Sequence, residues 1–307
     1  MTCYHPINAW RSLVPGVKRL DFKPSLSSVA QHLQIPCGRC IGCKLEYARQ
    51  WGVRCLHETK YHAESCFVTL TYDSDRLPDL GTLVPIHLDK FHKSVRNHVD
   101  YYYPFVPQLK WFACGEYGTR RQRPHYHSCI FGFDFFDKQK FKVLPSGEVL
   151  YISDTLQSLW PHGQATLGAL TQASAEYTAR YAAKKLTRQE QEKKYQSLDL
   201  RTGEIGKLHE EFARMSKGIG LRHFLQYGPS IYPVDSVVVG GRQAKPPRYY
   251  DKRLALDEPV TGFLVGMRRI YQSKKKEADN TPERLGVKEK VRKSKITSLQ
   301  RSYEKCE

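Results

Sequence analysis

The chain has 307 residues, of which 40% are hydrophobic, so one large globular domain or two smaller ones can form. Its formal net charge of +18 favours a polyanionic partner, either nucleic acid or an anionic membrane surface. No apolar run approaches the roughly 18–20 residues of a membrane span, and no apolar segment of a signal peptide follows Met1. The nine cysteines are therefore expected in a reducing cytoplasm, where metal binding or burial is commoner than disulfides.

Helical and strand-like patterns follow one another in the first half of the chain. Residues 1–36 are predicted to form an irregular arm. Apolar spacing and β-favouring residues then predict a helix at 44–62, a strand at 66–72, a helix after Pro85, a strand at 109–116, a turn at 117–124 and a return strand at 125–133. The last two strands are predicted to form an antiparallel hairpin, because a short polar loop joins them.

The second half begins with a predicted helix at 172–186, for which Thr171 is the N-cap. The further predicted elements are a helical segment at 210–215, a strand at 234–239, an extended basic-aromatic segment at 246–250 and, from about residue 262, a helix that gives way to a lysine-rich tail. Helices combined with a hairpin predict an α+β fold with an antiparallel sheet.

The predicted hairpin carries a candidate metal site. His125 and His127 are separated by one residue, so both imidazoles project from the same face of the return strand. Glu116 lies next to them if the hairpin pairs it with His125, and nitrogen and oxygen ligands with open positions favour Mg²⁺ or Mn²⁺. Cys114 and Cys129 are predicted to be buried thiols behind this site. The alternative is a surface strand with two solvated histidines.

Two tyrosines on the predicted helix at 172–186 are candidate nucleophiles. Tyr177, Tyr181 and Lys184 occupy positions i, i+4 and i+7 and form one stripe, which Arg180 and Lys185 flank. A phenol with a pKa of about 10 is a poor nucleophile unless it is assisted, and a nearby divalent ion and Lys184 can both stabilise charge on a phosphate under attack. The alternative is an amphipathic helix whose tyrosines pack on the core.

A third pattern is a cysteine run with two-residue spacers, formed by Cys37, Cys40 and Cys43. Tetrahedral zinc needs a fourth ligand, for which Cys3 is the first candidate and His5 or His57 are alternatives. An iron–sulfur cluster uses similar spacing but typically needs a further cysteine and a proline context that this run lacks. Buried or redox-sensitive thiols are the remaining interpretation.

These motifs resemble those of the HUH endonucleases that initiate rolling-circle DNA replication. More specifically, the chain resembles the replication initiation proteins of the gokushovirus branch of the microviruses, small phages with circular single-stranded DNA. Three motifs occur in the family's order: the strand at 67–72, Glu116 ahead of the segment 124–127, and the tandem tyrosines followed by Lys184 and Lys185. The cysteine run is also similar to that of the phage branch, and the match covers roughly residues 1–250.

The resemblance implies a function and a fold. His125, His127 and Glu116 would bind Mg²⁺ or Mn²⁺, while one tyrosine nicks the origin, leaving a free 3′-OH and a 5′-phosphate on the enzyme. The second tyrosine would act after a round of synthesis, and the strand would be circularised. The implied fold is HUH endonuclease-like, an antiparallel sheet of about five strands with packed helices, here with an N-terminal cysteine-rich knuckle. Many relatives carry lysine where this chain has Arg180, which cannot shuttle a proton, so Lys184 is the substitute.

The resemblance also suggests how the chain is divided and where it acts. An arm with the knuckle and first helix at 1–63 would precede a nuclease core at 64–255 and a basic C-terminal helix and tail at 256–307. The expected partner is the circular single-stranded DNA origin in the host bacterial cytoplasm, with no membrane. Host helicase and polymerase are also expected partners, because the chain has no phosphate-binding loop of a helicase.

Several basic and aromatic residues are candidates for DNA contact, although each set could equally be solvated. They are Arg120, Arg121 and Arg123 in the hairpin turn, Arg180 and Lys185 beside the tyrosines, and Lys245, Arg248, Tyr249 and Tyr250 further along. Two other functions compete with the phage initiator. One is a tyrosine transposase or plasmid relaxase with the same site. The other is a zinc-knuckle protein that binds single strands without cutting, with Tyr177 and Tyr181 in the core and Glu116 facing away from the histidines.

Overall fold

The computed structural model of the protein describes residues 3–12, 20–23, 30–118, 121–145, 147–182, 194–198, 202–275 and 277–298. Contacts among them form two units. The first unit combines described residues up to 46 with those from 266 onward, and the second unit contains described residues from 47 to 265. The functional boundaries expected at 63 and 255 stay predictions, and the contact grouping divides the chain at other positions.

The regular elements are numbered in chain order. The helices are α1 (Ile41–Thr59), α2 (Pro85–Tyr102), α3 (Asp154–Leu159), α4 (Gln172–Ala182), α5 (Leu221–Val234), α6 (Arg248–Asp257), α7 (Pro259–Lys274) and α8 (Pro282–Ser298). The strands are β1 (Ile7–Ser12), β2 (Leu20–Asp21), β3 (Ala30–Ile35), β4 (Ser65–Thr71), β5 (Lys110–Tyr117), β6 (Pro124–Phe131), β7 (Gln139–Val143), β8 (Val149–Ile152), β9 (Ala165–Ala169), β10 (Gln196–Leu198), β11 (Ile205–Lys207), β12 (Phe212–Met215), β13 (Val237–Val239) and β14 (Arg242–Ala244).

The first unit contains a small antiparallel sheet in the order β2-β1-β3, in which Ile7 pairs with Ile35. The prediction of an irregular arm at 1–36 is therefore wrong for the described part of that segment. Strand pairing between residues far apart in the chain supplies the backbone hydrogen bonds there, and short-range apolar spacing does not reveal it. Within the same unit, His5 Nε2 lies 2.8 Å from Glu289 Oε2 on α8.

The second unit is built on a seven-stranded antiparallel sheet in the order β12-β5-β6-β4-β9-β8-β7. The α+β class and the antiparallel hairpin of β5 and β6 are confirmed, but the sheet has two more strands than the expected five. The strands between residues 139 and 169 were not predicted. All five residues of β7 are exposed at the sheet edge, so an apolar alternation that would reveal a strand is lacking there.

Three predicted elements in the second unit are wrong or incomplete. Residues 210–215 form strand β12 instead of a helix, because Phe212 to Met215 pair with β5 at the sheet edge. The extended segment at 246–250 is instead the start of α6, where two prolines precede the first helical residue. A helix, α5, occupies most of the space before the predicted strand at 234–239, which is shortened to β13. Of the helix predicted at 172–186, residues 172–182 are helical and the rest lies outside the described residues.

Helices cover both faces of the large sheet, so its central strand β6 is buried along its whole length. Side chains alternate between the faces with a period of two. Tyr126 and Ile130 pack with α2 in one apolar cluster, while Cys129 and Phe131 pack with α1 and α4 in another. The odd-numbered residues of β6, which include His125 and His127, therefore lie on the face that α1 and α4 cover.

Glu58, near the end of α1, joins three parts of the second unit. Its carboxylate is 1% exposed and accepts hydrogen bonds from Lys110 Nζ at 2.7 Å, from His62 Nε2 at 3.1 Å and from the backbone N–H of Gly220 at 2.6 Å. Burial alone would raise the pKa of this carboxyl. The hydrogen bonds from His62, Lys110 and Gly220 outweigh burial and lower the pKa to about 2.

We expect Glu58→Gln to lower the free energy of unfolding by about 3 kcal/mol near pH 7, because a neutral amide cannot balance the charge of Lys110. The contribution of ionised Glu58 is complete above its ordinary pKa of 4.5 and is lost as the pH falls through about 2. Denaturant unfolding from about pH 7 to about pH 3 should therefore show the difference from the unsubstituted protein shrinking toward acid. Glu64→Gln, at an exposed position, is the control and should be neutral. A difference that does not change with pH would contradict this assignment.

No helix in the described part of the chain is both long and apolar enough to cross a bilayer.

Candidate metal centre

Strand register brings three candidate metal ligands together in the second unit. Glu116 on β5 pairs directly with His125 on β6, as predicted, and Cys114 pairs with His127. A spacing of two residues along β6 places both imidazoles on the face that carries Glu116. The three side chains, which we call the triad, are all at least nine-tenths buried. The predicted alternative of two solvated histidines is therefore wrong.

The triad is compact. His125 Nε2 lies 2.8 Å and His127 Nε2 lies 2.9 Å from the same oxygen, Oε1 of Glu116. Burial would raise the pKa of the Glu116 carboxyl, but the hydrogen bonds from His125 and His127 outweigh it and lower the pKa to about 2. The group is therefore a carboxylate at neutral pH and presents negative charge to the two imidazoles.

Neighbouring groups orient both imidazoles through their second nitrogen. The carbonyl oxygen of Arg123 lies 3.1 Å from His125 Nδ1, and because a carbonyl can only accept, Nδ1 carries the proton. The hydroxyl of Thr69 on β4 lies 3.0 Å from His127 Nδ1 and can accept its proton in the same way. This tautomer leaves Nε2 of each neutral histidine as a ligand atom that faces Glu116.

The donor set fits a divalent cation. A neutral Nε2 facing a carboxylate oxygen places two acceptors against each other, an arrangement that a cation between them stabilises. The second oxygen of Glu116, Oε2, is buried and has no hydrogen-bond partner among the described residues. One ligand atom from each triad residue lies within 4.8 Å of the others. Two imidazoles and one carboxylate can hold an ion and leave positions for a phosphate oxygen.

We expect Thr69→Val to weaken Mn²⁺ binding to the folded protein by about 10- to 100-fold, because the hydroxyl that orients His127 is lost while the side-chain shape is kept. Calorimetric titration with Mn²⁺ measures the affinity. Thr71→Val is the matched control, since Thr71 lies two residues away on the same strand and its hydroxyl donates to the carbonyl of Gln164 at 3.0 Å. Equal affinities for Thr69→Val and the unsubstituted protein would exclude this orienting role.

Helix α4 brings one of the two predicted tyrosines to the triad. The hydroxyl of Tyr177 donates to Glu116 Oε1 at 3.0 Å, and its ring meets that of His127 edge to face with centroids 5.0 Å apart. Gly52 of α1 allows α4 to lie close, because a Cβ there would be 2.4 Å from the side chain of Glu176. Tyr177 is 3% exposed, so both the catalytic and the core interpretation of this tyrosine describe part of its environment.

The remaining residues of the tyrosine motif are described less fully. The backbone of Tyr181 lies in the last turn of α4, but its side chain is outside the described atoms. Arg180 is half-buried in the same turn. Lys184 and Lys185 both lie outside the described residues, so their predicted roles stay predictions.

A cleft of about 450 Å³ opens beside the triad. His125 and His127 line it together with cations from the hairpin turn and from β7, namely Arg121, Arg123 and Lys142. The guanidinium of Arg123 is held by the carbonyl of Tyr72 at 2.8 Å and by the hydroxyl of Ser74 at 3.3 Å. Two of the predicted DNA-contact residues thus lie beside the triad, whereas Arg120 is outside the described residues.

The other predicted DNA-contact residues lie on a different part of the second unit. Lys245 and Arg248 are exposed, and neither lines the cleft. Tyr249 is half-buried beneath the guanidinium of Arg54, whose central carbon lies 4.1 Å from the ring centroid. Tyr250 is fully buried in the apolar cluster of α5 and α6. The prediction that Tyr250 stacks on bases is therefore wrong, because its ring has no exposed face.

The sequence reasoning missed Thr69 and the β7 side of the cleft. Thr69 lies on β4 directly opposite His127, so pairing the strand at 66–72 with the histidine strand could have found it. Phe141 and Lys142 of β7 belong to an edge strand without apolar alternation, and no local pattern identifies them. A second group of possible metal ligands, Cys3, Cys37, Cys40 and Cys43, lies in the first unit, with Cys3 in the position predicted for a fourth ligand.

The sheet, the triad and the helix that carries Tyr177 define a metal-binding α+β protein with a basic cleft. A family profile described as replication-associated protein ORF2 matches residues 65–186, which include all of these elements. The replication-associated protein ORF2 of Spiroplasma virus 4 is 39% identical over 229 residues, which cover 72% of this chain and 67% of the relative. The chain belongs to the family of microvirus replication-associated proteins.

Two further relatives are similar along much of the chain. The replication-associated protein VP4 of Bdellovibrio phage phiMH2K is 33% identical over 258 residues, covering 81% of this chain and 76% of the relative. The replication-associated protein ORF4 of Chlamydia phage 1 is 28% identical over 220 residues, covering 70% and 52% respectively. No solved structure matches the chain significantly.

Proposed function

We propose that this protein is an HUH-type tyrosine endonuclease that nicks single-stranded phage DNA at the replication origin and later rejoins it. The observation that carries the proposal is the hydroxyl of Tyr177, 3.0 Å from the carboxylate of a buried Glu-His-His triad. The names of the relatives support a role in phage replication. The seven-stranded sheet would be the HUH core.

Each group near the triad has a role in the proposed reaction. Glu116, His125 and His127 would hold Mg²⁺ or Mn²⁺, which when bound lowers the cost of negative charge on the scissile phosphate. The phenolic oxygen of Tyr177 forms a bond to phosphorus, the bond from phosphorus to the 3′-oxygen breaks, the phenol loses its proton and the 3′-oxygen gains one. The products are a 5′-phosphotyrosyl ester and a free 3′-OH, and attack by a 3′-OH on the ester rejoins the strand and restores the tyrosine.

The second tyrosine would allow the reaction to be repeated without release of the DNA. Tyr181 lies four residues after Tyr177, one turn further along α4. We propose that it attacks the newly made origin while the first ester is still intact, so that the displaced strand can be circularised. Lys184 would assist by stabilising phosphate charge.

The cleft beside the triad would bind the DNA strand. Arg121, Arg123 and Lys142 can neutralise successive phosphates, and Phe141, which is half exposed, offers a ring on which a base can stack. Such contacts favour a single strand, because stacking requires bases that are not paired. Host helicase and polymerase would supply unwinding and synthesis in the bacterial cytoplasm.

A covalent-adduct assay tests the proposal. The protein is incubated with origin-containing single-stranded phage DNA and Mn²⁺ and run on a denaturing gel. A slow-migrating adduct that needs both the metal and His125 is the expected result. Absence of an adduct, with salt-sensitive binding intact, would overturn the proposal and favour the non-cutting alternative.

That alternative, a single-strand-binding protein that does not cut, has one observation in its favour. Tyr177 is buried in the apolar cluster between the sheet and the helices, as a core residue would be. The alternative also expects Glu116 to face away from the histidines, whereas its carboxylate contacts both of them. A tyrosine transposase or relaxase would form the same adduct, and the phage relatives favour the initiator over these enzymes.

A further inference from the structure

Four cysteine side chains meet in the first unit, and we call them the cysteine cluster. The Sγ atoms of Cys3 and Cys40 are 3.9 Å apart, and those of Cys37 and Cys43 are 4.0 Å apart. All four sulfur atoms lie within 4.8 Å of one another. None of the four is in a disulfide.

These separations fit one tetrahedral metal ion. With zinc–sulfur bonds of about 2.3 Å, the sulfur atoms of a tetrahedral site lie about 3.8 Å apart. A disulfide needs an S–S distance of about 2.05 Å, much shorter than either pair here. An iron–sulfur cluster contains several iron atoms and holds its cysteines further from one another than a single ion does. The geometry therefore matches a mononuclear site.

Backbone amides point at three of the sulfur atoms. Cys37 Sγ accepts from the N–H groups of Arg39 and Cys40 at 3.4 and 3.3 Å, and Cys3 Sγ accepts from that of Cys37 at 3.3 Å. Cys40 Sγ accepts from the N–H of Tyr4 at 3.4 Å. A thiol is a weak acceptor, whereas a thiolate is a metal ligand with a negative charge that such donors stabilise. The loops are thus arranged around thiolates.

The local chain conformation supports the same arrangement. Gly38 turns the chain between the first two cysteines with a φ of 74°, a left-handed conformation that side chains disfavour. Cys40 directly precedes α1 and its carbonyl accepts from the N–H of Lys44 at 3.1 Å. The positive end of the helix dipole therefore lies at the cluster, where it stabilises the charge of four thiolates.

The other described cysteines behave differently. Cys55, Cys66, Cys114 and Cys129 are all fully buried in apolar clusters of the second unit, among aromatic and aliphatic side chains. Burial alone thus accounts for these four. It does not account for the cysteine cluster, where Cys37 and Cys43 are only half-buried and the backbone donors are directed at sulfur.

We propose that Cys3, Cys37, Cys40 and Cys43 bind one structural zinc ion that fastens the segment before β1 to the start of α1. Zinc fits because it takes four thiolates in tetrahedral geometry with no open position. The role is structural, because no ligand position is left for a substrate. This proposal does not depend on the proposed nuclease activity.

Metal analysis of the purified full-length protein tests the proposal. After dialysis against EDTA, which strips weakly held Mg²⁺ or Mn²⁺, we expect one zinc per chain to remain. Cys40→Ser should reduce the zinc content at least about tenfold, since three thiolates no longer close the site. Cys66→Ala, a buried cysteine outside the cluster, is the matched control and should retain the zinc. The double variant His125→Ala/His127→Ala should also retain it, which separates the two sites.

A second measurement avoids variants that fail to fold. Unsubstituted protein grown with Co²⁺ in place of zinc should show the sulfur-to-cobalt charge-transfer and visible bands of a tetrahedral tetrathiolate. Absence of zinc from the purified protein, iron in its place, or a cobalt spectrum without thiolate bands would each overturn the proposal. Zinc that disappears in the triad variant but remains in Cys40→Ser would overturn it as well.

Discussion

Replacing Glu116 by glutamine should reduce the metal-dependent cleavage of origin DNA by about 1,000-fold, which corresponds to about 4 kcal/mol of transition-state stabilisation. Glutamine keeps the size of the side chain but removes the charge that faces His125 and His127 and offers an amide nitrogen in place of one carboxylate oxygen. The metal is then held more weakly, and the hydroxyl of Tyr177 loses its present partner. The initial rate of adduct formation with saturating DNA and Mn²⁺ measures the effect.

The control for this prediction is a substitution of the same kind at an exposed position, Glu204→Gln, which should cut at the normal rate. Binding of single-stranded DNA without metal should be unchanged in Glu116→Gln, because the cations of the cleft remain. A variant that binds Mn²⁺ and forms the adduct as fast as the unsubstituted protein would remove Glu116 from the metal site. A parallel His125→Ala variant then tells whether any metal site lies on this strand.

Replacing Tyr177 by phenylalanine should reduce the first cleavage by at least about 1,000-fold, because the variant keeps the packing of the ring and loses only the nucleophilic oxygen. We expect Tyr177 to act first, since its hydroxyl already contacts the triad. The double variant with Tyr181→Phe should form no adduct at all. The adduct yield at short times, and peptide mapping of the tyrosine that carries the nucleotide, measure the outcome.

Tyr126→Phe is the matched control for the loss of a buried phenolic hydroxyl. Tyr126 is fully buried on the opposite face of the same sheet, and its hydroxyl is hydrogen-bonded to that of Tyr72 at 2.8 Å. This variant should still form the adduct. If Tyr177→Phe formed the adduct at the normal rate and lost it only when Tyr181 was also replaced, the order of the two nucleophiles would be the reverse of our proposal.

The two metal-ligand groups differ in how the chain assembles them. Glu116 and His125 are close because a short hairpin joins neighbouring strands, so the pairing depends on a loop of a few residues. The cysteine cluster instead joins Cys3 to a run that begins 34 residues later. In the first case folding of the sheet creates the site, and in the second a bound metal would lower the cost of closing the loop.

The sequence by itself determined the features that depend on local spacing. The period of two in a strand placed His125 and His127 on one face and Glu116 beside them, and the two-residue spacers identified the cysteine run. Helical spacing likewise located the tyrosine helix, whose described part begins at the predicted residue. These features are readable because the residues that determine them lie within one element or one hairpin.

Only the tertiary structure decided the features that depend on distant residues. Strands β1, β3 and β12 gain their backbone partners from segments far away in the chain, so local periodicity predicted an irregular arm and a helix in their place. Burial of Tyr250, the orienting contact of Thr69 and the approach of β7 to the cleft likewise depend on which surfaces pack together. Propensity and pattern are local quantities, whereas strand pairing and burial are properties of the assembled sheet.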